Sequence, residues 1–157
     1  MEIDVLIEEG VAPCLEASWL QDIAGQVLTA RRVSPDVELG LVIAGQERVQ
    51  QLNRDYLGRD RPTDVIAFSM LPEQSAGGEH FVPPPDGVLH LGEVIIAYPQ
   101  AVVQAEEQGH STEKEIAILV IHGILHLLGY DDEKPELKRE MRAREKEILS
   151  QIEGGES

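Results

Sequence analysis

Between Ile116 and Leu128 the chain reads IAILVIHGILHLL, apolar on nearly every side of a helix. Such a helix cannot lie on a surface, so other elements must surround it. It is too short to cross a bilayer, which takes roughly 18 or more apolar residues. The fold therefore has to be arranged around one central, buried helix. Thr112 and Glu115 have capping-box spacing and are predicted to start it; Gly129 is predicted to end it.

The flanking segments supply the surroundings. Glu2 to Glu8 alternates Ile3, Val5 and Ile7 against Glu2, Asp4, Leu6 and Glu8, the period of a half-buried strand. Trp19, Ile23, Val27 and Leu28 recur at helical spacing, which predicts an amphipathic helix over 15–32. Pro35-Asp36 marks a turn. Strands are predicted at 38–44, 65–69 and 89–97, with a short helix at 47–56. Pro99 suits the first turn of a helix reaching Gln108 and closed by Gly109. Residues 71–87 are rich in Pro and Gly and lack periodicity, which predicts a long loop. Residues 136–152 read as a charged, solvent-facing last helix. The sum is one α+β domain over 1–152. It is a mixed sheet of about four strands packed with about five helices around the central one, followed by a flexible tail at 153–157.

Composition narrows the function classes. With 157 residues there is one core, and 4% aromatics means that Val, Ile, Leu and Ala must fill it. The lone Cys14 cannot form an internal disulfide. The start MEIDVLIEEG lacks the basic-then-apolar order of a secretory signal, so a cytoplasmic protein is expected. A net charge of -16 disfavours loose binding of nucleic acid through a basic surface, but leaves room for a local site.

His122 and His126 lie four apart on the central helix, so they share one face, one turn apart. Two imidazoles so placed can converge on one metal ion. A buried histidine is also commonly a satisfied core residue, and spacing alone leaves both readings open. Burying two imidazoles in an apolar helix costs free energy unless both are paired, which favours a metal. Beyond Gly129 come Asp131 and Asp132. A turn there can fold a carboxylate back to the histidine face as a third ligand, or can cap the next helix. Zinc proteases of the H-E-x-x-H type carry their base directly after the first histidine; here that position is Gly123. Its presence predicts close approach of another backbone or of substrate. Proton handling then falls to another group, and Glu93 and Asp131 are the candidates.

These residues resemble a known family. HGILHLLGYDD is similar to H-G-x-L-H-L-x-G-Y-D-H, the signature of the YbeY family of metal-dependent endoribonucleases and ribosomal RNA maturation factors. LNRDYLGRDRPTDVIAFSM, LGEVIIA and the approach HSTEKEIAILVIHG agree with further family blocks, in family order, over about 45–132. The resemblance implies an α+β fold, a zinc site, hydrolysis of single-stranded RNA and a role in maturing small-subunit ribosomal RNA. It also implies metal ligands at His122, His126 and Asp132.

Three departures matter. The third family histidine falls at Asp132, a harder, anionic donor that lowers the charge of the site and shifts preference towards metals such as manganese. The family arginine falls at Leu57, with Arg59 two residues on. The family aspartate of the L-G-D-I strand is Glu93. Cleavage of RNA needs a positive group near the scissile phosphate. Arg59, with Arg48, Arg54 and Arg61 nearby, could supply it, or these arginines could be solvated and paired with Glu47, Asp55, Asp60 and Asp64. Asn53, Tyr56 and Arg61 are candidates for holding the RNA backbone. Asp64 is read as part of a turn anchoring the strand, and His80, His90 and His110 as surface residues.

The expected activity is that of a single-strand-directed endoribonuclease. One competing reading is a non-catalytic ribosome-assembly factor that keeps the fold with a weakened metal site and binds ribosomal RNA or a basic ribosomal protein. Another is a metal hydrolase of some other small ester or amide.

Overall fold

The computed structural model describes residues 2–11, 15–30, 36–57, 64–69, 89–128 and 135–154. Its elements run β1 (Glu2–Ile7), α1 (Ala17–Ala30), β2 (Val37–Ala44), α2 (Gln46–Leu57), β3 (Val65–Ser69), β4 (Leu89–Ala97), α3 (Tyr98–Gln108), α4 (Thr112–Leu127) and α5 (Pro135–Gly154). The expected α+β class holds. The expected loop at 71–87 lies outside the described residues. The last helix runs two residues further than expected, into the segment read as a tail.

The sheet has the order β1-β2-β4-β3. β1, β2 and β4 are mutually parallel, and β3 runs antiparallel to β4 with Val65 opposite Ile96 and Ser69 opposite Gly92. Strand alternation decides what each face buries. On one face Leu39, Leu41, Ile43, Val94 and Ile96 join α1 (Leu20, Ile23, Val27), α4 and the inner side of α5 in the main core. On the other face Ala44, Ile66, Ile95 and Ala97 form a smaller core with Val49 of α2. β1 is an edge strand whose Ile3, Val5 and Ile7 turn inward while Leu6 stays exposed.

α4 is the centre that its sequence demands. Ile116, Val120, Ile121, Ile124 and Leu125 are fully buried, and the helix touches α1, α3, α5, β3 and β4. At roughly 1.5–3 kcal/mol for each fully buried aliphatic side chain, this helix is a large share of the apolar driving force. Its start is one residue earlier in role than expected. Ser111 is the cap, its hydroxyl accepting from the Lys114 amide at 3.1 Å, and Thr112 is already helical. That frees Glu115 for other work. Nearly buried, its carboxylate accepts from Gln104 Nε2 at 2.9 Å and meets His110 Nε2 at 2.7 Å. Gln104 also donates to Asp64 Oδ2 at 3.2 Å, and the Asp64 carbonyl accepts from the Ala97 amide. Asp64 thus anchors β3 as expected. His110 is no idle surface residue: it belongs to a polar tie between α3, α4 and the start of β3. Gly109, at φ 73°, makes the tight left-handed turn between the two helices.

Candidate metal and substrate site

Both histidines lie on α4, yet not as buried side chains. The His122 ring is 30% exposed and His126 is exposed, because their face of the helix opens beside α5 instead of meeting the core. Burial therefore does not by itself demand a partner for these rings. The two ring centroids are 5.7 Å apart and the planes are tilted by 51°. The His122 Nδ1 lies 2.7 Å from Glu145 Oε1 of α5. A carboxylate facing Nδ1 favours the proton on that nitrogen, so that Nε2 would be the one offered to a metal, a common arrangement behind metal-binding histidines. The donors suit a divalent ion of zinc type: two imidazoles on one face of α4, one already held by a carboxylate.

Among the described residues no group of three metal-capable side chains comes together. The expected third ligand, Asp132, and its neighbour Asp131 lie outside them, as do Arg59 and Arg61. Asn53 and Tyr56 fall on α2; their side chains lie outside the description.

Glu93 is placed away from the histidines. It is exposed and pairs in register with Gly40 and Phe68, on the face of the sheet that α2 covers. Its neighbour Val94 points to the opposite face, where α4 packs. The sheet thus stands between Glu93 and the histidine helix, so Glu93 is not positioned to take a proton there. A Cβ on Gly40 would come 3.1 Å from Glu93 Cγ, so the glycine makes room for this glutamate on the outer face.

Gly123 is explained by the same packing. A Cβ there would sit 2.5 Å from Val94 Cγ1 and 3.0 Å from Cγ2. The close approach is a strand side chain, neither backbone nor substrate. The missing glutamate of the protease pattern follows from it: position 123 faces the sheet, not the site.

Of the arginines, Arg48 and Arg54 lie on α2, across the sheet from α4. Arg54 pairs with Asp55 at 3.5 Å, both exposed, a contact of little energetic weight. Asp64 engages Gln104 instead of an arginine.

What the sequence reading missed is α5. It is not merely solvent-facing, since Met141 and Ile148 are buried in the main core. Glu145 lies on the same stripe, and a cleft of about 260 Å³ between α4 and α5 is lined by His122, Lys138, Met141, Arg142 and Glu145. A carboxylate set between two apolar residues of one helical stripe was the available signal.

Comparison with known proteins gives one family. The family model described as Endoribonuclease YbeY matches residues 11–153. Proteins named Endoribonuclease YbeY are similar to this chain. One from Dehalococcoides mccartyi is 43% identical over 155 residues, covering 97% of each chain. One from Roseiflexus sp. is 40% identical over 148 residues, covering 94% of this chain and 90% of the other. One from Bacillus cereus is 41% identical over 130 residues, covering 83% and 82%. The solution structure of a Thermotoga maritima protein superposes with a TM-score of 0.65 at 27% identity, covering 98% of this chain and 90% of that one.

Proposed function

Because this chain belongs to the endoribonuclease YbeY family, we propose that it hydrolyses phosphodiester bonds of single-stranded RNA, in the maturation of small-subunit ribosomal RNA in the cytoplasm. One divalent metal, zinc first among the candidates, is held by His122, His126 and Asp132. The observation that carries the site is the open histidine pair with His122 fixed by Glu145 at 2.7 Å. No helix of the described residues is long and apolar enough to cross a membrane, in keeping with a substrate met in water.

A divalent ion, when held by these residues, would supply Lewis-acid stabilisation of the phosphoryl oxygens and make an attacking water more acidic. The chain's own residues do the rest. Glu145 holds the His122 ring through Nδ1. Asp131, beside the third ligand in sequence, takes the proton, a role for which Glu93 is on the wrong face. Arg59 offsets charge at the scissile phosphate, with Asn53, Tyr56 and Arg61 orienting the strand. The reading as a non-catalytic assembly factor draws no support from the relatives, whose names are those of a nuclease. A basic ribosomal protein remains a fitting partner for a chain of charge -16.

The test is metal content and cleavage of unstructured RNA, measured on the same samples of wild type, Asp132→Ala and Asp132→His. The wild type is expected to hold one equivalent, and Asp132→Ala to lose metal and cleavage in parallel. A wild type that holds no metal and cleaves nothing, beside an Asp132→His protein that gains metal, would overturn the enzyme reading.

A further inference from the structure

The chain has 13 lysines and arginines against 29 acidic residues, and five of the 13 (Lys138, Arg139, Arg142, Arg144, Lys146) fall on α5. They do not share one role. Arg144 is taken up by Glu147 at 2.6 Å. Lys138 and Arg142 are four apart, hence on one face, and both line the cleft that His122 lines. Among the described residues, the one carboxylate lining that cleft, Glu145, is turned to the His122 ring. Lys138 and Arg142 therefore leave a local positive patch, inside a concavity, on a strongly acidic molecule.

We propose that Lys138 and Arg142 grip a backbone phosphate of the RNA in the cleft beside His122, a role resting on the nuclease reading above. Arginine offers a planar fork of donors that matches two phosphate oxygens, and lysine a point charge on a long stem. Together they can hold a phosphate on the α5 side of the histidines. A strand pinned there is fixed in register relative to the metal ligands, which turns a loose encounter into a positioned one. The acidic surface repels RNA elsewhere, so the pair also steers the strand to the site. Arg48 and Arg54 of α2 do not line this cleft. Lys138 and Arg142 are thus positioning residues for substrate.

The experiment uses the metal-loaded full chain and a fluorescein-labelled oligouridine with 2′-O-methyl riboses, shown intact by gel afterwards. Binding is followed by anisotropy over a salt series for wild type, Lys138→Gln/Arg142→Gln and a charge-matched control, Arg139→Gln/Lys146→Gln. These control positions are exposed, and neither lines the cleft. The cleft pair is expected to weaken binding at least tenfold. It should also flatten the dependence of log K on log salt by about 0.7 for each phosphate that the protein no longer neutralises. The control pair should change binding less than twofold, and metal content should be unaltered in both. Equal weakening by the two pairs would mean general attraction and overturn the proposal, as would a cleft pair that binds like wild type. Cleavage of unmodified RNA on the same samples separates the two readings. A wild type that cleaves while the cleft pair binds normally removes only the grip. A wild type that never cleaves, yet loses binding in the cleft pair alone, removes only the hydrolase and upholds the grip.

Discussion

His122→Ala protein is expected to fold, to lose its metal and to cleave single-stranded RNA about 10³-fold more slowly, since a metal contributes several kcal/mol to such a barrier and each 1.36 kcal/mol is tenfold. Folding should survive because the ring is only partly buried and makes no part of the core. Glu145, 22% exposed, is left without its imidazole but can be solvated from the cleft. Glu145→Gln should be intermediate. It keeps the shape but removes the charge behind Nδ1, and metal affinity should drop by about 10–100-fold, as for other outer carboxylates. Metal titration and cleavage rates on the two variants check this ordering. If Glu145→Gln retained wild-type affinity, the 2.7 Å approach to His122 would be incidental to the site.

Substitution at Gly123 is expected to act on the fold instead. Gly123→Ala gains about 1 kcal/mol in helix propensity. Against this stands a Cβ at 2.5 Å from Val94 Cγ1, between a central helix and a central strand. Valine is stiff at χ1 and cannot swing away. Overpacking of this kind costs typically about 1–3 kcal/mol, so the net effect is destabilising. For a domain of this length each kcal/mol lowers Tm by about 2–4 °C. Gly123→Glu, which would write the protease pattern into α4, drives a charge against the same valine and should give no folded protein. Val94→Ala in the Gly123→Ala background should return part of the stability. Thermal unfolding of the three proteins decides it: an alanine variant as stable as wild type would show that α4 can shift off the strand at no cost.

Why the helix of the site was legible and its surroundings were not is a matter of range. IAILVIHGILHLL announces a buried helix from its own side chains, and the strands β3 and β4 declare their bounds through the alternation and the turn residues beside them. The cap of α4 was displaced by one because Ser111 and Thr112 both qualify chemically, and only the backbone decides; Ser111 is the extended one. For Glu93, alternation puts it opposite Val94 but does not say which face α4 covers, a fact fixed by the packing of Val94 on Gly123. Glu145 is 23 residues from His122 in sequence. Nothing local to the histidines points to it; only the return of α5 across them brings it there. The third ligand and Arg59 rest on the family pattern, since Asp132 and Arg59 lie outside the described residues.

α5 joins two jobs on one helix, burying Met141 and Ile148 in the core while presenting Glu145 to His122. With an ion on His122 as proposed above, its capture and the docking of α5 would be linked equilibria. An ion that binds only the docked form stabilises it by RT ln(1 + [L]/Kd), about 2.7 kcal/mol at a hundredfold excess over Kd. Chelation should therefore be felt first as faster amide exchange along α5, before the sheet loosens. In a cell short of metal, the same coupling would mark the empty protein by a loosened carboxy-terminal helix.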